Sequence, residues 1–261
     1  MPGTPVPQRT DQVGALKTGP GRSFEVCAGV RAVFTGRAGG VSADPFGTLN
    51  LSYSVGDGRR AVDANRDLVP RLIGPGPERV AWLRQVHGAD VAYAAGPPPD
   101  EEPQADAVFS DSPSVAVGVL VADCAPVLLA DPAARLVGAA HAGRPGLAAG
   151  VVPALVAAMS RAGADPGRMR AVIGPAICGQ CYEVPARMRD EVAAAAADSA
   201  CVTRKGTPGI DLRAGLRRQL ADLGVGRLAD DARCTAESPE LFSYRRDGST
   251  GRFAGLIWLT T

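Results

Sequence analysis

The chain has 261 residues, enough for one large domain or two small ones with a sizeable apolar core. Lysine plus arginine (28) nearly balances aspartate plus glutamate (27), which argues against the net field that draws a protein onto nucleic acid or an anionic membrane. Met1 to Arg22 is rich in Pro, Gly, Thr and Gln, with no apolar stretch for a signal peptide or membrane span; it reads as a flexible amino-terminal arm on a cytoplasmic protein.

From Phe24 to Leu51 the chain reads as strand, glycine turn and loop, tightest at Arg37-Ala-Gly-Gly-Val-Ser42, where the glycines suggest close backbone packing or a ligand. Helical spacing runs over Asp63–Ile73, to a Gly-Pro-Gly-Pro breaker at 74–77, and a short strand, Ala81–Val86, delivers His87. Gly96 to Pro103 is too proline-rich and polar for a regular element. Apolar, β-branched runs at Val115–Val121, Pro126–Ala130 and Leu136–Ala140 predict buried strands, with Cys124 between the first two and His141 at the end of the third. A long helix is expected over Arg144–Ala162, a strand at Met169–Ile173, helices at Pro185–Ala197 and Asp211–Leu223, and a closing strand at Arg252–Leu259. Interspersed strands and helices without a fixed-period repeat predict an α/β fold: one mixed sheet with flanking helices, a single domain over residues 23–261.

Only two histidines occur, His87 and His141, so any imidazole chemistry must use them. The six cysteines are scattered, which predicts reduced thiols rather than a disulfide framework. A catalytic zinc site takes three protein ligands and keeps a fourth position open. His87, Cys124 and His141 fit that count, each at an expected strand end among small or polar residues; two surface or capping histidines and a buried thiol account for the pattern equally well. Asp123, Glu183 and Asp247 are candidates for acid-base work or for accepting the second N–H of a ligating histidine, with Asp123 favoured because it adjoins Cys124. Arg144 opens the long helix after a glycine turn, a natural place for phosphate, although a solvated capping arginine is the ordinary alternative. Cys178-Gly-Gln-Cys181 reads as packed or pocket-lining thiols, since a structural metal site needs two more ligands and no strand leads directly into a helix at the first cysteine.

Taken together, the motifs resemble those of the laccase-domain family, also called YfiH-like or polyphenol-oxidase-like, now regarded as purine nucleoside phosphorylases. The resemblance rests on Phe34-Thr-Gly-Arg-Ala-Gly-Gly-Val-Ser42, Leu49-Asn-Leu51, Gln85-Val-His-Gly88, Ala105-Asp-Ala107, Asp123-Cys-Ala-Pro-Val127, His141-Ala-Gly-Arg144, Ile173-Gly-Pro-Ala-Ile177, Cys181-Tyr-Glu-Val184 and Phe242-Ser-Tyr-Arg-Arg-Asp247. It covers all but the amino-terminal arm, and departs at Gly36, where the family more often has Thr or Ser. It implies zinc on His87, Cys124 and His141, and phosphorolysis of adenosine, inosine and methylthioadenosine to free base and ribose 1-phosphate or its methylthio analogue, with adenosine deamination as a side activity. It also implies a pocket lined by Arg37, Asn50, Gln85 and Arg144, with phosphate near Arg37 and Arg144. The expected partners are nucleosides and phosphate, on a chain that is a monomer or a weak homo-oligomer.

Two other readings come with these residues. Two histidines and a cysteine are also the ligand set of a blue-copper centre, but two histidines cannot furnish the oxygen-reducing cluster of a multicopper oxidase. Cys124 with His141 as base would make a thiol-dependent amide hydrolase, and some relatives are thought to edit peptidoglycan precursors.

Overall fold

A computed structural model describes residues 21, 23–73, 77, 79–96 and 101–260. The arm expected over residues 1–22 lies outside them apart from Gly21, as do residues 74–76 of the breaker and 97–100 of the proline-rich connector.

In chain order, strands β1 (Phe24–Cys27) and β2 (Val30–Phe34) precede helix α1 (Arg59–Ile73), β3 (Arg79–Ala81), β4 (Val91–Tyr93) and β5 (Ala107–Ser110). Then come β6 (Val115–Val121), β7 (Ala125–Asp131), β8 (Leu136–Ala142), α2 (Arg144–Ala149), α3 (Val151–Arg161) and β9 (Arg170–Ile173). The chain continues through α4 (Ala186–Ala195), β10 (Ala200–Val202), β11 (Pro208–Ile210), α5 (Leu212–Asp222), β12 (Arg227–Asp230), α6 (Tyr244–Asp247) and β13 (Phe253–Leu259). The mixed sheet divides in two. One sheet runs β1-β2-β13-β6-β3 and the other β12-β9-β7-β8-β5-β4, while β10 and β11 form a separate hairpin. Among the described residues no helix is long and apolar enough to cross a membrane.

Alternation of side chains explains the layering. In β6, Val115, Val117 and Val119 face inward with Ala32, Phe34 and Ile257 of their own sheet, meeting Leu128, Ala130, Val137 and Val172 of the other. The intervening Ala116 and Leu120 pack outward with Leu256 and Trp258 against Val69 and Ile73 of α1. Across the sandwich, Val127, Leu129 and Ala140 face Leu155 and Met159 of α3 and Leu216 of α5. Strands β6, β7, β8 and β13 are therefore buried on both faces, which is why they read as unbroken apolar runs.

Three expected elements differ. The helix expected over Arg144–Ala162 breaks at Gly150, which adopts φ 78°, ψ 41° and donates its N–H to Gly146 O and Leu147 O, closing α2 and starting α3. Alanine and leucine content cannot register that break, because it depends on one glycine's access to the left-handed region. The strand expected over Ala81–Val86 stops at Ala81. Beyond it the Gln85 side chain takes over the ladder, its Nε2 donating to Leu120 O (2.8 Å) and its Oε1 accepting from Leu120 N (2.7 Å). Helix α1 begins at Arg59, four residues before the apolar spacing at Asp63. The glycine turn after β2 is close backbone packing, since a Cβ on Gly40 would lie 2.2 Å from Thr48 O.

The β7–β8 turn is held by a fully buried carboxylate. Asp131 Oδ1 accepts from Ala133 N (3.0 Å) and Ala134 N (3.2 Å), and Oδ2 from Asp165 N (2.8 Å) and Arg168 Nη2 (3.1 Å). Burial alone would raise its pKa, but these donors outweigh it and hold the group below the ordinary 3.8. The stabilisation is therefore present in full above pH 3.8 and is lost as the pH falls through the lower native value. Asp131→Asn is expected to cost about 1–3 kcal/mol at neutral pH. In urea unfolding at a series of pH values, the gap between the two proteins should narrow below pH 3.8.

Candidate active site

The two sheets are joined where the chain crosses between them, and these crossings carry the site. His87 lies between β3 of the first sheet and β4 of the second, and Cys124 between β6 and β7, which also belong to different sheets. His141 is the penultimate residue of β8, opposite Pro126 of β7. Together they put Nε2 of His87 3.9 Å from Sγ of Cys124, with the imidazole rings edge to face at 4.7 Å between centroids. One ligand atom from each of His87, Cys124 and His141 lies within 4.8 Å of the others.

Two of these corners use strained backbone. His87 has φ 62° and Asp123, the residue before Cys124, φ 87°, each in the left-handed region where a non-glycine costs about 1–3 kcal/mol. Hydrogen bonds hold both. Asp123 Oδ1 accepts from the hydroxyls of Thr235 (2.6 Å) and Ser243 (2.7 Å), and Oδ2 from Arg245 N (2.6 Å). The His87 loop is held by Asp106, a fully buried residue just before β5. Its Oδ2 accepts from Val86 N (3.1 Å) and Gly88 N (2.7 Å), and its Oδ1 from His87 N (2.9 Å) and Nδ1 of His141 (2.8 Å).

That last contact decides the chemistry of His141. An ionised carboxylate has no proton to donate, so Nδ1 carries the hydrogen and Nε2 faces Cys124. Burial would lower the His141 pKa, but the Cys124 charge and the bond to Asp106 bring it up to about 9. Burial would likewise raise the Cys124 thiol, yet the two histidines bring it down to about 6. Asp106 is held below the ordinary carboxylate value, its burial outweighed by His141 and the backbone donors. Gly143 keeps the space clear, because a Cβ there would sit 2.7 Å from Cys124 Sγ.

This donor set fits a zinc ion. Two imidazoles and a thiolate are common zinc ligands, one histidine is backed by a carboxylate, and the exposed side of His87 leaves the fourth direction open. That direction faces a cavity of about 670 Å³, within the range of small-molecule sites. Arg66, Arg84, Arg144, Arg245 and Arg252 line it against only Glu102 and Asp123, a balance that favours an anion. Tyr182, also on the wall, carries Arg245 stacked 5.0 Å from its ring; burial pushes its pKa up, the Cys124 charge adds to this, and Arg144 and Arg245 oppose it.

Of the expected pocket residues, Arg144 and Gln85 line the cavity, although both polar atoms of Gln85 are engaged with Leu120. Arg37 and Asn50 do not line it. Arg37 lies over the Phe242 ring and pairs with Asp247 at 3.6 Å, while Asn50 is fully buried, its side chain bonded to Ser52, Asp57 and the backbone N–H of Arg252. Asn50 thus belongs to the framework behind Arg252. Asp123 lines the cavity, but the acceptor behind a candidate ligand histidine is Asp106, not Asp123, whose carboxylate is spent on α6 and its neighbours. Glu183 is exposed outside the cavity, and Asp247 pairs with Arg246 and Arg37. Arg252, Arg245 and Tyr182 are among the wall residues not singled out individually from the sequence.

The αββα sandwich with a His/Cys/His group at one end defines a class of α/β protein with a candidate metal centre. The chain belongs to the family described as multi-copper polyphenol oxidoreductase laccase, which it matches over residues 31–260. It is 54% identical over 227 residues to a purine nucleoside phosphorylase of Streptomyces coelicolor, covering 87% of this chain and 94% of that one. It is 39% identical over 236 residues to the purine nucleoside phosphorylase YfiH of Escherichia coli, covering 88% and 94%. Among solved structures it is similar to a Neisseria meningitidis protein (TM-score 0.83, 40% identity, 92% of this chain and 98% of that one). It is also similar to YlmD from Geobacillus stearothermophilus (TM-score 0.83, 32% identity, 91% and 94%).

All four of Asp106's side-chain partners are donors, so an amide in its place would turn its own N–H toward at least one of them. Asp106→Asn is expected to weaken zinc binding by about 10–100-fold, measured by competition with a chromophoric chelator, with the fold retained by circular dichroism.

Proposed function

We propose that the protein is a zinc-dependent purine nucleoside phosphorylase of the cytoplasm, acting on adenosine, inosine and methylthioadenosine. The observation that carries this reading is the joining of a His/Cys/His group to an arginine-lined cavity of nucleoside size. The relatives named as purine nucleoside phosphorylases support it.

In this reading Arg144, Arg245 and Arg252 bind the phosphate and turn one of its oxygens toward the ribose C1′. A C–O bond forms at C1′ as the C–N bond to the purine breaks, and the base leaves with that electron pair and takes up the proton that the hydrogen phosphate gives up. Leu83, Leu120 and Ile177 supply apolar wall that excludes water from the reacting carbon. Asp106 acts as a positioning residue, fixing the His141 ring and the His87 loop. His87, Cys124 and His141 would hold a zinc ion, which would supply Lewis-acid chemistry in this cavity. Adenosine deamination is a side activity of the same cavity, with water adding at C6 and ammonia leaving.

Inosine incubated with the zinc-loaded protein is expected to give hypoxanthine and ribose 1-phosphate only when phosphate is present. Release of hypoxanthine at the same rate without phosphate would overturn phosphorolysis.

The arginines make a sharper test. Arg144→Ala is expected to raise KM for phosphate by roughly tenfold to a hundredfold, the scale of one charged hydrogen bond. Arg37→Ala should leave that KM unchanged, because Arg37 lies outside the cavity.

A further inference from the structure

Away from the cavity's His/Cys/His group, two turns bring four more ligand atoms together. Cys178, Cys181, Cys234 and Glu237 present them within 4.8 Å of one another. The first turn follows β9, where Cys178 O accepts from Cys181 N (2.9 Å) and Tyr182 N (3.0 Å). The second follows β12, where Cys234 O accepts from Glu237 N (3.0 Å) and Ser238 N (2.9 Å). A parallel bridge between Ala176 and Cys234 lays the turns side by side.

We propose that Cys178, Cys181, Cys234 and Glu237 form a second metal site, separate from the cavity, that holds a zinc ion through three thiolates and one carboxylate. Four such donors make a closed tetrahedral set of the structural kind. Ligands about 2.3 Å from zinc at tetrahedral angles sit about 3.8 Å apart, so the cluster needs only a small contraction to close on the ion. The backbone is already arranged for a thiolate: Cys178 N–H donates to Cys234 Sγ at 3.3 Å, and the Ala236 N–H is directed at the same sulfur. Sγ of Cys181 lies 3.6 Å from Glu237 Oε1, and Arg204 pairs with that carboxylate from outside.

All six cysteines are free, and Cys201 is occupied elsewhere, its Sγ donating to Gly179 O at 3.4 Å. A redox couple of Cys178 and Cys181 alone would leave the third thiol without a part, and no helix starts at Cys178, the next being α4 at Ala186. Metal binding displaces the thiol protons to solvent. The ion would clip together the turns that present Ile177 and Tyr182 to the cavity, giving it a structural role rather than a place in the reaction.

The test uses Cys124→Ser protein, in which the cavity group has lost its thiolate, purified under reducing conditions and titrated with cobalt(II). One cobalt per chain with intense near-ultraviolet thiolate-to-cobalt absorption, lost on adding zinc and absent after the further changes Cys178→Ser and Cys181→Ser, is the expected result. If that triple variant does not fold, iodoacetamide labelling of the unaltered protein decides instead: zinc should slow modification of Cys178, Cys181 and Cys234 at least tenfold. Folded Cys124→Ser protein without the absorption, a reduced Cys178–Cys181 pair that takes up no metal, or labelling indifferent to zinc would each overturn the proposal.

Discussion

The four hydrogen bonds of the Asp106 carboxylate organise the candidate site. A buried charge costs several kcal/mol unless its lone pairs are filled, and here three backbone N–H groups of the His87 loop and one imidazole fill them. One residue ahead of β5 thereby fixes both the left-handed turn at His87 and the ring of His141. Because the loop at His87 crosses between sheets, the carboxylate also sets how the sandwich closes at this end. The distance between the two histidines is thus a property of the fold, not of flexible side chains.

Cys124 is positioned from the opposite side. Asp123 before it takes a conformation favoured by glycine, and its carboxylate holds that turn through Thr235, Ser243 and the Arg245 backbone. Those partners come from the segment after β12 and the start of α6, so the carboxy-terminal part of the chain reaches back to orient a thiol in its middle. The same segment carries Arg245 and Arg252 to the cavity, which couples the placement of the sulfur to that of the positive charge.

Much of this was legible in the sequence, and the exceptions share a cause. The central strands announced themselves because burial on both faces leaves unbroken apolar runs. The scarcity of histidine pointed to His87 and His141, and Cys124 lay between two such strands. Asp106 stood in the Ala105-Asp-Ala107 motif but without a role, because its backbone donors leave no mark in the sequence and its neighbour in function, His141, is 35 positions away. Arg37 and Asn50 carry the polar groups expected of a pocket but spend them inside the fold, on Asp247 and on Ser52, Asp57 and the Arg252 backbone, a distinction that residue type does not carry. The Cys178 and Cys181 pair looked incomplete because its companions, Cys234 and Glu237, arrive from more than fifty positions downstream.

The surroundings of Cys124 also bear on what kind of chemistry the group can support. A thiol nucleophile needs one base, and Cys124, His141 and Asp106 would suffice for that arrangement. Here a second imidazole, that of His87, is held against the same sulfur by strained backbone, and Gly143 excludes even a methyl group from the gap. Retaining that strain makes sense when the second imidazole must share a common centre with the first, as metal ligands do. A multicopper oxidase is disfavoured on composition, since both histidines of the chain are already at this one position. What remains is a candidate metal position facing a cavity lined by five arginines, a charge balance that favours an anion.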